Sequence, residues 1–168
     1  MNNIYIYILY LLMDYSLKDE WYLWYHSSKN SSWKNESYKN VYKLENLYDI
    51  KFINSLNYEY LKVGMYFIMR KNIFPTWEHS ENRKGATISY KVFDNIALEK
   101  WNYIINGIIT GNINITNNII NGASIVPKKK YHIIKIWVKN MDNNILKNLN
   151  LDDQYLKNSK AFIKKNTS

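Results

Sequence analysis

The sequence predicts an α+β domain built on an antiparallel sheet. Short segments rich in aromatic and β-branched residues recur along the chain, one longer segment repeats its apolar residues at helical spacing, and the two kinds are interspersed without the strict alternation of a parallel sheet. At 168 residues there is enough chain for one domain with a substantial core and too little for two comfortable ones.

Ile4 to Met13 is an apolar, tyrosine-rich run, too short to span a bilayer and without the basic flank of a signal peptide. Ordinary domain patterning begins at Met13, so residues 1–12 are read as an N-terminal extension and 13–168 as a single domain. An extra strand or a weak signal-like segment are the rival readings of the first twelve residues. Trp21–Tyr25 and Tyr38–Leu44 read as strands, separated by a polar loop that carries Trp33. Leu47–Asn57 reads as a helix, with Leu47, Ile50, Ile53 and Asn54 on one side and Tyr48, Phe52 and Leu56 on the other. Two apolar sides imply either burial on both or a partner on the outer one. Tyr60–Met69 reads as a strand leading into the loop of Pro75, Trp77 and Glu78.

Thr87–Phe93 alternates, with Ile88, Tyr90 and Val92 on one face. Asp94 or Asn95 is expected to cap the next helix, whose stripe of Ala97, Trp101, Ile104, Ile105 and Ile108 ends near Gly111. Gly122–Val126 and Ile133–Val138 are expected to pair around Lys128–Lys130, with Ile134, Ile136 and Val138 inward and Ile133, Lys135 and Trp137 on the opposite face. A short helix near Ile145–Leu149 and a lysine-rich tail close the chain. Trp21, Trp24 and Trp101 are assigned to the core.

Composition narrows the chemistry. The net charge of +9 favours a polyanionic partner such as an RNA end or a nucleotide, although the abundance of Asn, Ile, Lys and Tyr points to an AT-rich coding sequence that inflates lysine. A membrane surface is the alternative for a basic chain. No cysteine is present, which removes disulfides, thiol catalysis and cysteine-type zinc sites. His26, His79 and His132 show no metal-ligand spacing, and no P-loop, paired catalytic carboxylates or nucleophile–base set is visible, so no metal, cofactor or catalytic residue is assigned.

The strongest local signal is Trp77-Glu78 on the loop after a hydrophobic strand, with Trp33 upstream and the Lys128–Lys130 cluster leading to Trp137 downstream. An aromatic beside a carboxylate, a second aromatic to close a sandwich and a group of ammonium ions are the parts needed to hold a cationic guanine and its phosphates. Taken singly, each residue has an ordinary surface reading; their order and spacing favour a site.

The pattern Trp21-x-x-Trp24, Trp33, Pro75-x-Trp77-Glu78-x-x-x-Asn82-x-x-Gly85, Trp101, Gly122-Ala123 and Lys128-x-Lys130 through Ile136-Trp137 resembles the eukaryotic translation initiation factor 4E family, the messenger RNA cap-binding proteins. The resemblance runs from about Leu17 to Val138. It implies a curved antiparallel sheet with helices on its convex face and a concave slot for 7-methylguanosine. Within that slot it implies that Trp33 and Trp77 sandwich the base, Glu78 accepts hydrogen bonds from the guanine edge, Trp137 touches the methyl group, and Lys128 and Lys130 meet the phosphates. Ile133 stands where the family commonly has another lysine, and Lys135, two residues on, is expected to substitute for it. Ala86 and Thr87 replace a glycine and a basic residue that often follow Gly85.

The resemblance also implies a convex partner surface at Tyr48 and Phe52 for a scaffold factor 4G-like protein or a 4E-binding repressor, though the neighbouring family positions differ. Two functions follow as expectations. One is a monomeric, non-enzymatic initiation factor acting on capped messenger RNA in the cytoplasm or nucleus; the other is a cap-sequestering repressor or decoy with an altered scaffold-binding surface.

Overall fold

The computed structural model describes residues 15–166, so the expectation of an extension over residues 1–12 lies outside the described residues. Among the described residues seven strands form one sheet in the order β2-β1-β3-β5-β6-β4-β7. They are β1 (Ser16–Ser27), β2 (Tyr38–Asn46), β3 (Gly64–Arg70), β4 (Ala86–Phe93), β5 (Ile120–Pro127), β6 (Tyr131–Val138) and β7 (Phe162–Lys165). Every neighbouring pair is antiparallel. The helices are α1 (Leu47–Asn54), α2 (Tyr58–Val63), α3 (Ser80–Arg83), α4 (Ala97–Thr110), α5 (Ile145–Asn148) and α6 (Gln154–Asn158). The expected α+β class with a curved antiparallel sheet and helices on the convex face is the observed one. No helix among the described residues is long and apolar enough to cross a membrane.

Strand alternation sorts the side chains into two clusters, one on each face of the sheet. The larger joins Ile88, Tyr90 and Val92 of β4 and Ile134, Ile136 and Val138 of β6 to Trp101, Ile104, Ile105 and Ile108 of α4. All three of those periodicities, in β4, β6 and α4, were expected from the sequence, and Gly111 ends α4 at φ +80, the left-handed conformation that glycine adopts without steric cost. The smaller cluster, on the concave face, contains Tyr38, Met65, Phe67, Met69, Ile73 and Trp137.

Several local expectations are corrected. Asn46 and Asp49 form a capping box that starts α1, but the helix stops at Asn54 rather than Asn57. Ser55 closes it by bonding back to the Phe52 carbonyl, and Asn57 then accepts from the Glu59 amide (3.1 Å) to cap a separate helix. Tyr60–Met69 is therefore half helix and half strand, with the change at Gly64. Neither Asp94 nor Asn95 caps α4 through its side chain: Asp94 instead accepts from His132 Nδ1 at 3.0 Å, and a 3-10 turn over Asp94–Ile96 leads into the helix. The lysine-rich tail contains β7, which pairs along β4 from Ala86↔Lys165 to Ser89↔Phe162. Trp21 and Trp101 are fully buried in the large cluster, whereas Trp24 faces the concave side, partly buried and edge-on to Phe74 at 5.0 Å.

Candidate functional site

The strand registers place two rows of side chains across the concave face. One runs Trp24–Phe67–Ser124–Lys135–Ser89–Phe162 from β1 to β7, and the next runs Met69–Gly122–Trp137–Thr87–Lys164 from β3 to β7. Residues directly opposite on antiparallel strands share a face, so each row is a continuous stripe of side chains. Trp137 lies between Gly122 and Thr87, its indole N–H donating to Ser124 Oγ at 2.9 Å. Gly122 is required there: a Cβ would stand 2.2 Å from the Ile68 carbonyl oxygen and 2.5 Å from Met69 Sδ.

The loop from Lys71 to Gly85 carries Trp77 and Glu78 over this floor. Asn72 turns the chain at φ 63, and Ile73 and Pro75 are buried beneath. Asn82 then acts as the loop's hub. Its fully buried amide donates to the Phe74 and Thr76 carbonyls at 3.0 and 2.8 Å, and its side-chain oxygen accepts from Asn121 Nδ2 at 3.0 Å. Asn166, just after β7, donates from its side chain to the Asn82 carbonyl at 3.0 Å, tying the C-terminal strand to the same loop. Gly85 closes the loop against β6, where a Cβ would meet the Val138 carbonyl oxygen at 1.8 Å. With both ends held, Trp77 and Glu78 remain exposed at the rim.

Trp33 reaches the rim from the β1–β2 loop. Its ring stacks on His26 with centroids 4.7 Å apart and planes 11° from parallel. His26 is itself fully buried and donates from Nε2 to the Ser32 carbonyl at 2.8 Å, which fixes both the loop and the platform under the indole. Trp33 is still 59% exposed.

Together these residues enclose a cavity of about 250 Å³ lined by Trp33, Trp77, Glu78, Trp137, Lys128 and Lys135, with Tyr38, Met65, Phe67, Ser124 and Val126 below. The structure thus brings together six of the seven residues that the sequence singled out for the slot. Lys130 is the exception: it stands exposed in the turn between β5 and β6, outside the cavity lining. The Lys128 amide donates to the Tyr131 carbonyl at 2.8 Å to close that turn, so pleat alternation does not carry from Lys128 to Lys130. Tyr48 and Phe52 lie on α1, whose Ile50 and Ile53 are buried in the large cluster, and both are exposed. Phe52 stacks on Tyr42 at 4.7 Å and Tyr48 contacts Tyr15 at 5.1 Å.

The electrostatics separate this cavity from others. A larger concavity of about 630 Å³ is also lined by cations, but Arg70 pairs there with Asp19, Lys71 with Glu20, and Lys139 with Glu81. Lys128 and Lys135 take part in no ion pair among the described residues. Burial, followed by the charges of Lys128 and Lys164, pushes the Lys135 ammonium below the ordinary lysine range. The Tyr38 hydroxyl is pushed up to about 12 by burial and by the carboxylate of Glu78. An anion at the lysines and a hydrogen-bond donor at Glu78 would each relieve an uncompensated charge.

Sequence reasoning missed His26 and Tyr38. A period-two reading of β1 sets Tyr22, Trp24 and His26 on one face, which was the available signal for His26. No comparable signal marked Tyr38, whose place depends on the pairing of β1 with β2.

A search of curated protein sequences finds no match. The fold resembles Caenorhabditis elegans eIF4E-3 in complex with the 4E-binding protein Mextli, with a TM-score of 0.66 and 17% identity over 76% of this chain and 77% of that one. It resembles equally Ascaris suum eIF4E-3 with an m2,2,7G cap, with a TM-score of 0.67 and 20% identity over 79% and 77% of the two chains. The same worm protein with an m7G cap gives a TM-score of 0.65 at 20% identity over the same shares. The family model for eukaryotic initiation factor 4E matches residues 16–164, which takes in β1 to β6, most of β7 and every residue of the concave cavity, and the chain belongs to that family.

Proposed function

We propose that the protein binds the 7-methylguanosine cap of messenger RNA in the concave cavity and is a binding protein rather than an enzyme. The observation that carries this reading is the meeting of two exposed tryptophans, a rim carboxylate and unpaired lysines over a buried third tryptophan. Trp33 and Trp77 stack on the two faces of the base. Methylation makes the base cationic, adding a cation–π attraction of up to ~2 kcal/mol when desolvated to base stacking worth roughly 1–3 kcal/mol. Glu78 accepts from the guanine N–H groups, a charge-assisted pairing that adenine cannot supply. Trp137 forms the floor against the methyl group, and Lys128 and Lys135 receive the phosphates. Lys130, at the tip of its turn, adds to the positive field without lining the slot.

The cap-bound worm relatives support this reading, and the Mextli complex supports a protein partner for a family member. On this chain the outward aromatics Tyr48 and Phe52 are the partner surface, and the protein acts as a monomer in the cytoplasm or nucleus. The role as an initiation factor recruiting capped messages through a 4G-like scaffold is preferred over cap sequestration, because the aromatic character of α1 is retained and exposed. Retention on immobilised 7-methyl-GTP with elution by free cap analogue, but not by equal GTP, tests the binding. Loss of that selectivity would refute it. Recovery of a 4G-type scaffold on the same resin separates initiation factor from decoy, since only the former retains the scaffold.

A further inference from the structure

We propose that β7 supplies a further phosphate-binding residue, Lys164, and that the phosphate chain of the ligand runs from the base cavity into a second cavity bounded by that strand. The inference rests on the cap-binding reading above and extends it to a residue on the last described strand. Thr87 on β4 is paired with Trp137 on one side and with Lys164 on the other, so the lysine shares the concave face with the cavity floor. A second cavity of about 210 Å³ is lined by Trp77, Thr87, Lys135, Trp137, Lys164 and Lys165. Trp77, Lys135 and Trp137 line both cavities, which makes the second a continuation of the first.

The position is held firmly. Asn166 is buried, its backbone amide donates to the Gly85 carbonyl at 2.9 Å, and its side chain donates to the Asn82 carbonyl at 3.0 Å. The same two-sided anchor therefore fixes Lys164 relative to the Trp77–Glu78 loop. Lys128 and Lys135 line the first cavity, Lys135 and Lys164 line the second, and none of the three has an ion-pair partner among the described residues. The charges of Lys128 and Lys164 both act on the Lys135 ammonium, so the three are electrostatically one group. β4 presents Thr87 beside Trp137, and its own lysine on this face, Lys91, lies opposite Ile133 and over the Tyr131 ring at 4.5 Å; the cation beside Thr87 comes from the neighbouring strand. Ammonium groups lining two adjoining cavities beside a base pocket fit successive phosphates, either those of the cap bridge or that of the nucleotide after it.

The test measures tryptophan-fluorescence titrations of 7-methylguanosine, 7-methyl-GDP, 7-methyl-GTP, the capped dinucleotide and inorganic tripolyphosphate. The proteins are the full chain, Lys164→Ala, Lys164→Arg and Lys147→Ala, the last an exposed lysine on α5. Lys164→Ala should weaken 7-methyl-GTP by about fivefold at low salt and lower its salt slope by a little under one, with Lys164→Arg restoring both. The nucleoside should bind all four proteins alike. A loss on the mono-capped triphosphate assigns Lys164 to the bridge, and a loss confined to the capped dinucleotide assigns it to the following phosphate. Equal affinities for every phosphate ligand in Lys164→Ala and Lys147→Ala would overturn the proposal, as would an equal loss on nucleoside and triphosphate. Methylguanine-selective binding with unchanged phosphate increments would leave the cap reading standing without Lys164. Tripolyphosphate binding that depends on Lys164 without any methylguanine preference would do the reverse.

Discussion

Replacing Asn82 by alanine is the sharpest perturbation of the loop that carries Trp77 and Glu78. The side chain is fully buried and makes hydrogen bonds to Phe74 O at 3.0 Å, Thr76 O at 2.8 Å and Asn121 Nδ2 at 3.0 Å. At about 1 kcal/mol net for each bond, their loss costs about 3 kcal/mol, and more if the two carbonyls stay buried without partners. The loop can limit that cost by opening to water around Phe74–Thr76, while Ile73 and Pro75, the Asn166 contacts, and the Asn121 and Lys139 bonds to Glu81 continue to hold it. Urea unfolding followed by circular dichroism reads the global loss, and amide hydrogen exchange by mass spectrometry reads the local one. Residues 71–85 should exchange faster in the variant while α4 stays protected, and stability should fall by about 2–3 kcal/mol. A variant within 0.5 kcal/mol of the parent, with unchanged exchange over the loop, would refute the hub role of Asn82; that threshold is about half of one net hydrogen bond.

Lys100 is nearly buried and bonded to Asp153 at 2.8 Å, while Asp153 also caps α6 through the Leu156 amide at 2.9 Å. Asp153→Ala should therefore cost roughly 3 kcal/mol in denaturant unfolding, whereas removing Glu99, the exposed second partner, should cost far less. Burial opposes ionisation of Asp153, but the bonds from Lys100 and the Leu156 amide outweigh it and hold the carboxyl below the ordinary aspartate range. Its contribution is thus present above the unfolded aspartate pKa and lost as the pH falls through the lower folded value, so the parent but not Asp153→Ala should show that acid-side loss in a pH series of unfolding curves. Lys135 has the opposite sense: its free ammonium is depressed by burial and then by Lys128 and Lys164, and an anion restores the charged form. Phosphate ligands should accordingly be bound with proton uptake at pH values between the depressed and restored pKa, with affinity falling as pH rises; calorimetry in buffers of different ionisation enthalpy checks this, and Lys135→Gln should abolish it. Gly85→Ala, which drives a Cβ to 1.8 Å from the Val138 carbonyl oxygen, should lower stability by about 3 kcal/mol or more because backbone has to move; a thermal midpoint equal to that of the parent would contradict it.

The elements that were legible share one property: their signal is local and repeats. The inward triads of β4 and β6, the stripe of α4 with its terminal Gly111 and the hairpin around Lys128–Lys130 follow from alternation and helical spacing. The errors fall where two neighbouring segments compete. Asn57 and Gly64 cut one expected helix and one expected strand into α1, α2 and β3, since a side-chain cap three residues after a helix end outweighs a continuing apolar pattern. β7 was hidden because all four of its residues are exposed and its hydrogen bonds to β4, not its composition, make it a strand.

The tryptophans, the Glu78 carboxylate and the lysine-rich turn were present in the sequence as residue types at characteristic spacing, and that was sufficient to single out most of the cavity residues and the family resemblance. The fold decided which of them meet. It set Lys128 and Lys135 on the cavity while leaving Lys130 outside, put buried His26 beneath Trp33, and brought Lys164 of the last strand beside Thr87. Side-chain identity and short-range periodicity are written along one chain, but the neighbour of a residue across an antiparallel sheet depends on strand order and register, which arise only when distant segments pair.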